Sequence, residues 1–188
     1  MTTTVASILA TASQLANDTD NVTWTQPELV GYFNEGQLAL VKIKPDAYAK
    51  TATVALIAGA KQTNPADCIE IIELRRNTNG AAITPCDRSA LDLFNPNWMT
   101  TQTETTVIHY MDDPQPDTFY VYPALSGAGS VQMTYRAVPP TVAYGDNMGV
   151  RDVYKDNMVN YLLYRMYSKD FEGGDAQRAA AYLGLFKG

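Results

Sequence analysis

One histidine in 188 residues, two cysteines, and no lysine or arginine before Lys42 set the first limits on this chain. With His109 alone, imidazole chemistry has a single possible base, and no serine or cysteine motif stands beside it. Cys68 and Cys86 are too few for a disulfide framework and lack CxxC spacing. They read as free thiols, with pairing left open should neighbouring strands bring them together. No stretch approaches the ~18 apolar residues of a spanning helix. The opening Met-Thr-Thr-Thr-Val has neither the basic start nor the apolar run of a signal peptide, so a reducing compartment is expected. A net charge of −6 argues against a protein that coats DNA, because phosphate neutralisation needs a basic face, and an acidic, weakly hydrophobic surface argues against membrane binding. GxSxG, HExxH and Walker-type loops are missing. Gly127 and Gly129 precede no helix, so they cannot cradle a phosphate in the usual way.

What is present is helix at both ends. Val5, Ile8, Leu9, Ala12 and Leu15 form one stripe of a helix over about 4–17. Thr25-Gln26-Pro27-Glu28 has the form of a capping box opening a helix over about 26–43. Trp24 and Leu29 are spaced for a hydrophobic staple across it, and Pro45 closes it. A third helix is expected over about 152–170, broken by Gly173-Gly174. A fourth, capped by Asp175, runs over about 176–186. Val159, Leu163, Met166 and Tyr167 widen the apolar face of the third helix, which predicts burial on more than one side.

Between about 50 and 138 the period changes. Thr51–Ala58, Ile69–Arg75 and Thr105–Met111 read as strands, Asn77-Thr78-Asn79-Gly80 as a hairpin turn returning through Ala81–Thr84, and Asp87–Phe94 as a short capped helix. Asp117–Pro123 and Ser130–Val138 alternate apolar and polar residues around Ser126-Gly127-Ala128-Gly129, and are expected to pair as an antiparallel hairpin. The fold class is therefore α+β: a small helical bundle built from both termini, with a β-rich antiparallel insertion. A single domain over 1–188 is expected, since no linker or repeat divides the chain.

Two acidic groups bear on chemistry. Asp18-Thr19-Asp20-Asn21 begins like a calcium loop but lacks the glycine and the bidentate glutamate that would complete one. Asp112, Asp113 and Asp117 put three carboxylates in one proline-containing loop. They could hold a divalent cation weakly, or simply occupy the places Asp favours in a solvated turn. Twelve tyrosines against five phenylalanines favour contact surfaces, where an apolar ring with a polar tip serves well.

Three segments carry a resemblance: WTQPELVGYFNEGQLALVKIKPDA at 24–47, DTFYVYP…GSVQMTYRAVPP within 117–140, and VYKDNMVNYLLYRMYSKDFEGGDAQRAAAYLGLF at 153–186. In this order the chain resembles the head-to-tail adaptor (connector) proteins of tailed bacteriophages. The resemblance implies a structural virion protein made in the host bacterial cytoplasm, with no enzymatic activity and no cofactor. It also implies a ring of about twelve copies beneath the portal protein, continuing the DNA channel without reading sequence and offering attachment to a downstream tail or nozzle protein. Under this reading Tyr182, Leu185, Phe186 and Lys187 on the last helix are candidates for portal docking, although Leu183 and Phe186 could equally close the bundle core. Asp112, Asp113 and Asp117 become a candidate tail-side loop. Two other readings stand beside it: a β-rich module of a neck or tail protein that recognises a glycan or host surface, and a metal-assisted hydrolase using Asp112, Asp113 and Asp117.

Overall fold

The computed structural model describes residues 3–169 and 175–188, the side chains of residues 102 and 103 aside. The chain divides into two units, Met1–Tyr48 with Val138–Gly188, and Ala49–Ala137. The second matches the segment where the hydrophobic period changes to within one residue at each end. Helix makes up 39% and strand 28%, so the α+β class holds, with helices at both ends and a β-rich region between them.

The helical unit contains α1 (Val5–Leu15), α2 (Gln26–Ile43), α4 (Lys155–Ser168) and α5 (Ala176–Lys187). α1 buries Val5, Ile8, Leu9 and Ala12 as its stripe requires, while Leu15 is left exposed in the last turn. The capping box of α2 is not closed as expected: the Thr25 hydroxyl caps nothing, and the Thr25 backbone N–H is only the smallest of the influences that hold the Glu28 carboxyl low. The staple residues Trp24 and Leu29 are both buried, and the Trp24 indole N–H donates to the Met166 carbonyl at 3.1 Å. α4 buries seven side chains, from Met158 to Tyr167, in keeping with its wide apolar face. The Gly173-Gly174 break and Asp170 lie outside the described residues.

Asp18 has a structural task in place of a calcium one. Its carboxylate accepts the backbone N–H groups of Val22, Thr23 and Trp24, the last at 2.9 Å, and so folds the α1–α2 connection on itself. Burial opposes the charge, yet the donors of Trp24, Thr23 and Val22 outweigh it and hold the carboxyl below the usual aspartate range.

The second unit contains β1 (Ala49–Leu56), β2 (Gly59–Thr63), β3 (Cys68–Asn77), β4 (Thr84–Pro85), α3 (Arg88–Phe94), β5 (Gln102–Glu104), β6 (His109–Asp112), β7 (Thr118–Leu125) and β8 (Gly129–Ala137). The strands form two sheets. One is three-stranded and antiparallel in the order β1-β8-β3. The other runs β2-β7-β6-β4, with β5 beside β7. Two short strands pair in parallel, β4 with β6 and β5 with β7.

The expected β7–β8 hairpin does not form. The Ser126–Ala128 turn carries the chain from one sheet into the other, and β8 inserts between β1 and β3 while β7 takes β2 and β6. The alternation was sound, since Phe119, Val121, Val131, Met133 and Tyr135 are all buried. Alternation reports which side of a strand is buried, not which strand lies beside it. The return from the Asn77–Gly80 turn is likewise reduced to one bridge, Arg76 to Ala82, before the chain leaves as β4. The turn itself is made as expected, with Gly80 at φ 103°, where a glycine is at home. Asn77 then ties the end of β3 to the connection between β5 and β6. Its buried amide donates to the Val107 carbonyl at 2.7 Å and accepts the Val107 N–H at 2.9 Å. Cys68 opens β3 in one sheet, Cys86 follows β4 in the other, and both are free thiols.

Candidate contact surfaces

The last helix is positioned by its cap and by aromatic packing. Asp175 accepts the backbone N–H groups of Gln177 and Arg178, each at 3.0 Å, which fixes the start of α5. Tyr182 is half-buried and stacks on Tyr167 with ring centroids 5.9 Å apart. Phe186 is 3% exposed and meets Tyr161 edge-on at 4.9 Å, while its carbonyl accepts from the Asn157 amide. Phe186 therefore belongs to the core and not to a contact surface, the alternative its sequence position had left open. Leu185, by contrast, is 59% exposed, and Lys187 is exposed beyond it. Of the four docking candidates, α5 brings Leu185 and Lys187 to solvent, with the half-buried Tyr182 on the same helix.

The α2 and α4 helices are tied by charge at their outer faces. Lys169 reaches Glu28 at 2.8 Å, Glu28 accepts from the Tyr32 hydroxyl, and Arg165 pairs with Glu35 while lying over the Tyr32 ring at 4.5 Å. The Lys169 ammonium is the chief reason that the Glu28 carboxyl sits below its ordinary range. These groups are engaged with one another, which suits a bracing role.

The aspartate loop does not gather its carboxylates. Asp112 is exposed at the end of β6, and Asp117 stands at φ 68° with its carbonyl accepting from the Asn64 N–H. Asp113 turns inward, its side chain 8% exposed, and bonds the Gln115 N–H, the Thr118 hydroxyl and Lys61. The Gln115 N–H above all, then the Thr118 hydroxyl and Lys61, hold its carboxyl low against the cost of burial. Among the described residues no three acidic, histidine or cysteine side chains are grouped so as to hold a metal ion. His109 accepts or donates a bond with the Thr84 hydroxyl at 2.8 Å and stacks on Tyr122, the part of an ordinary strand residue.

The aromatic residues of the second unit are similarly occupied. Trp98 is 1% exposed, donates its indole N–H to Asp92 at 2.7 Å and meets Tyr120 and Tyr122 edge-on. What the sequence reading missed is at the end of α3, where Leu93 and Phe94 are 82% and 89% exposed. Only Leu91 of that helix is buried, and a helix of two turns is too short for periodicity to separate its faces. The bare outer edge of β1 was missed as well, because a strand's place in a sheet leaves no local trace.

Both units carry large apolar side chains exposed to solvent, Leu93 and Phe94 on one and Leu185 on the other. The chain belongs to the SU10 adaptor protein family, whose model matches residues 3–188; this is a family of bacteriophage head–tail adaptors, structural proteins of the virion. No curated protein sequence matches the chain. Among the described residues no helix is long and apolar enough to cross a membrane.

Proposed function

We propose that the protein forms a homo-oligomeric ring of about twelve copies under the portal, extends the DNA channel and presents the attachment surface for the tail. The observation that carries this reading is the family match, which runs through both units and omits only the first two residues. Physical features support it. A ring needs a heterologous contact, with one face of each copy meeting a different face of the next. Separate helical and β units supply separate surfaces for such contacts. A net charge of −6 suits a channel through which DNA must slide, since a basic lining would retain it. Leu185 and Lys187, with Tyr182, are proposed as portal-docking residues, and the Asp112–Asp117 loop as a tail-side contact.

Mass photometry of the purified full chain, alone and with its portal, tests the reading. A species near twelve copies, or monomers joining a portal ring about twelve at a time, is expected. A monomer or trimer indifferent to the portal overturns it.

A further inference from the structure

The two outer strands of the three-stranded sheet differ in how they treat their free edges. β3 spends the C-terminal end of its edge on its own chain. The Arg75 carbonyl accepts the Ile83 N–H at 3.1 Å, and Arg76 bridges Ala82. Its register against β8 slips at three places, and it carries Glu70, Glu73, Arg75 and Arg76. Bulges and charges of this kind keep a strand from accepting a neighbour.

β1 has none of these devices. Its register with β8 is unbroken from Ala49–Arg136 to Leu56–Gly129, and it contains no proline. Its one charge, Lys50, does not guard the edge, because the ammonium is held by Asp67 at 2.8 Å. Among the described residues, no backbone group of Ala49–Leu56 is hydrogen-bonded to anything but β8. In an antiparallel ladder about half the residues of an outer strand turn N–H and C=O away from their partner, so β1 offers an open template for one more strand.

We infer that β1 accepts an extended strand donated by a different polypeptide at the head–tail junction, a segment of small or β-branched uncharged residues. Backbone groups at this spacing recognise an extended chain and nothing else as well. The exposed face beside them, Ala49, Thr51, Thr53 and Ala55, pairs best with β-branched residues and has no free charge to answer one. A second copy is excluded on the ring reading, on which this inference rests. Head-to-tail pairing of β1 with β3 meets an edge that is occupied at Arg75 and Arg76, charged at Glu70 and Glu73 and broken in register at three places, and β1 with β1 makes a twofold contact that cannot repeat around a ring.

The test is photocrosslinking from p-benzoylphenylalanine placed at Thr53 of the full chain in assembled particles, with the linked peptide identified by mass spectrometry. Linkage to an extended segment of a portal or tail chain is the expected result. Linkage to another copy of this chain, or none, overturns the inference. Should the substituted chain fail to assemble, hydrogen exchange on the unsubstituted protein decides. The outward amides of β1 should exchange about tenfold or more slowly in the particle than in the isolated chain, and an unchanged rate refutes strand addition. Ring mass is read separately, so a ring with an unaltered β1 edge defeats this inference alone.

Discussion

Gly31 and Gly36 lie on the same helix, and the same change to alanine should move stability in opposite directions. At Gly31, which is exposed, an added Cβ meets nothing within 4 Å. Gly31→Ala then gains only the helix propensity difference, about 0.5–1 kcal/mol. At Gly36 the same atom would fall 2.6 Å from Cδ1 of Tyr161, with Met158 Cε at 3.0 Å. That ring cannot swing away cheaply, because Tyr164 and Phe186 pack edge-on against it at 5.7 and 4.9 Å. Overpacking a well-filled core costs about 1–3 kcal/mol. The propensity gain is common to both variants and cancels in the comparison, so the difference between them measures the packing cost directly. Urea unfolding of the isolated full chain, followed by far-UV circular dichroism, reports on the helical unit. Gly31→Ala should unfold at higher urea than the parent and Gly36→Ala at lower, with unchanged slopes. Coincident midpoints for the two variants would show that α2 and α4 do not meet as closely as described.

Asp18→Asn should cost about 1–2 kcal/mol at neutral pH, through weaker acceptance of three backbone donors. Because the folded carboxyl titrates below its unfolded value of 3.8, its stabilisation is complete above that pH and fades as pH falls through the folded value. Parent and variant unfolding curves should therefore converge in acid. Asn77→Ala, which leaves the Val107 N–H and carbonyl without their partner, should lower stability by about 2–4 kcal/mol in denaturant titration. Phe186→Ala should cost about 3–5 kcal/mol, whereas Leu185→Asp should leave the thermal midpoint nearly unchanged and weaken portal association measured by mass photometry. Burial pushes the Cys68 thiol up to about 11, so its alkylation rate in the folded chain should still rise steeply above about pH 10, where an ordinary thiol with a value of 9.0 is already almost wholly ionised and its rate levels off.

The helical unit is legible residue by residue because its signals are local. A cap, a staple and a repeating stripe all act within a few positions, and Trp24 and Asp175 do what their neighbours require. Choice of partner is not local. Thr118–Leu125 and Gly129–Ala137 both carry the alternation of a half-buried strand and a permissive turn between them, which together suggest a hairpin. Each is central in its own sheet, however, and the edges of β8 are taken by strands far upstream. The short β2 has too few residues for any period to stand out. In α5, Leu185 and Phe186 are adjacent and both apolar. Which of them is buried depends on where Tyr161 and Asn157 lie on α4, a fact that the α5 sequence does not contain.

The pairing of Ala49 with Arg136 has an evolutionary consequence. The first strand of the insertion and its last run side by side, so the chain departs and comes back through a doorway about 5 Å wide. In chain order, Ala49–Ala137 is a single excursion whose stem is the β1–β8 pair. A lineage can lengthen, trim or exchange what hangs on that stem while its two ends stay paired. Diversification of this protein across hosts and tail types is then expected to concentrate in the cassette, leaving α1, α2, α4 and α5 as the frame that stays.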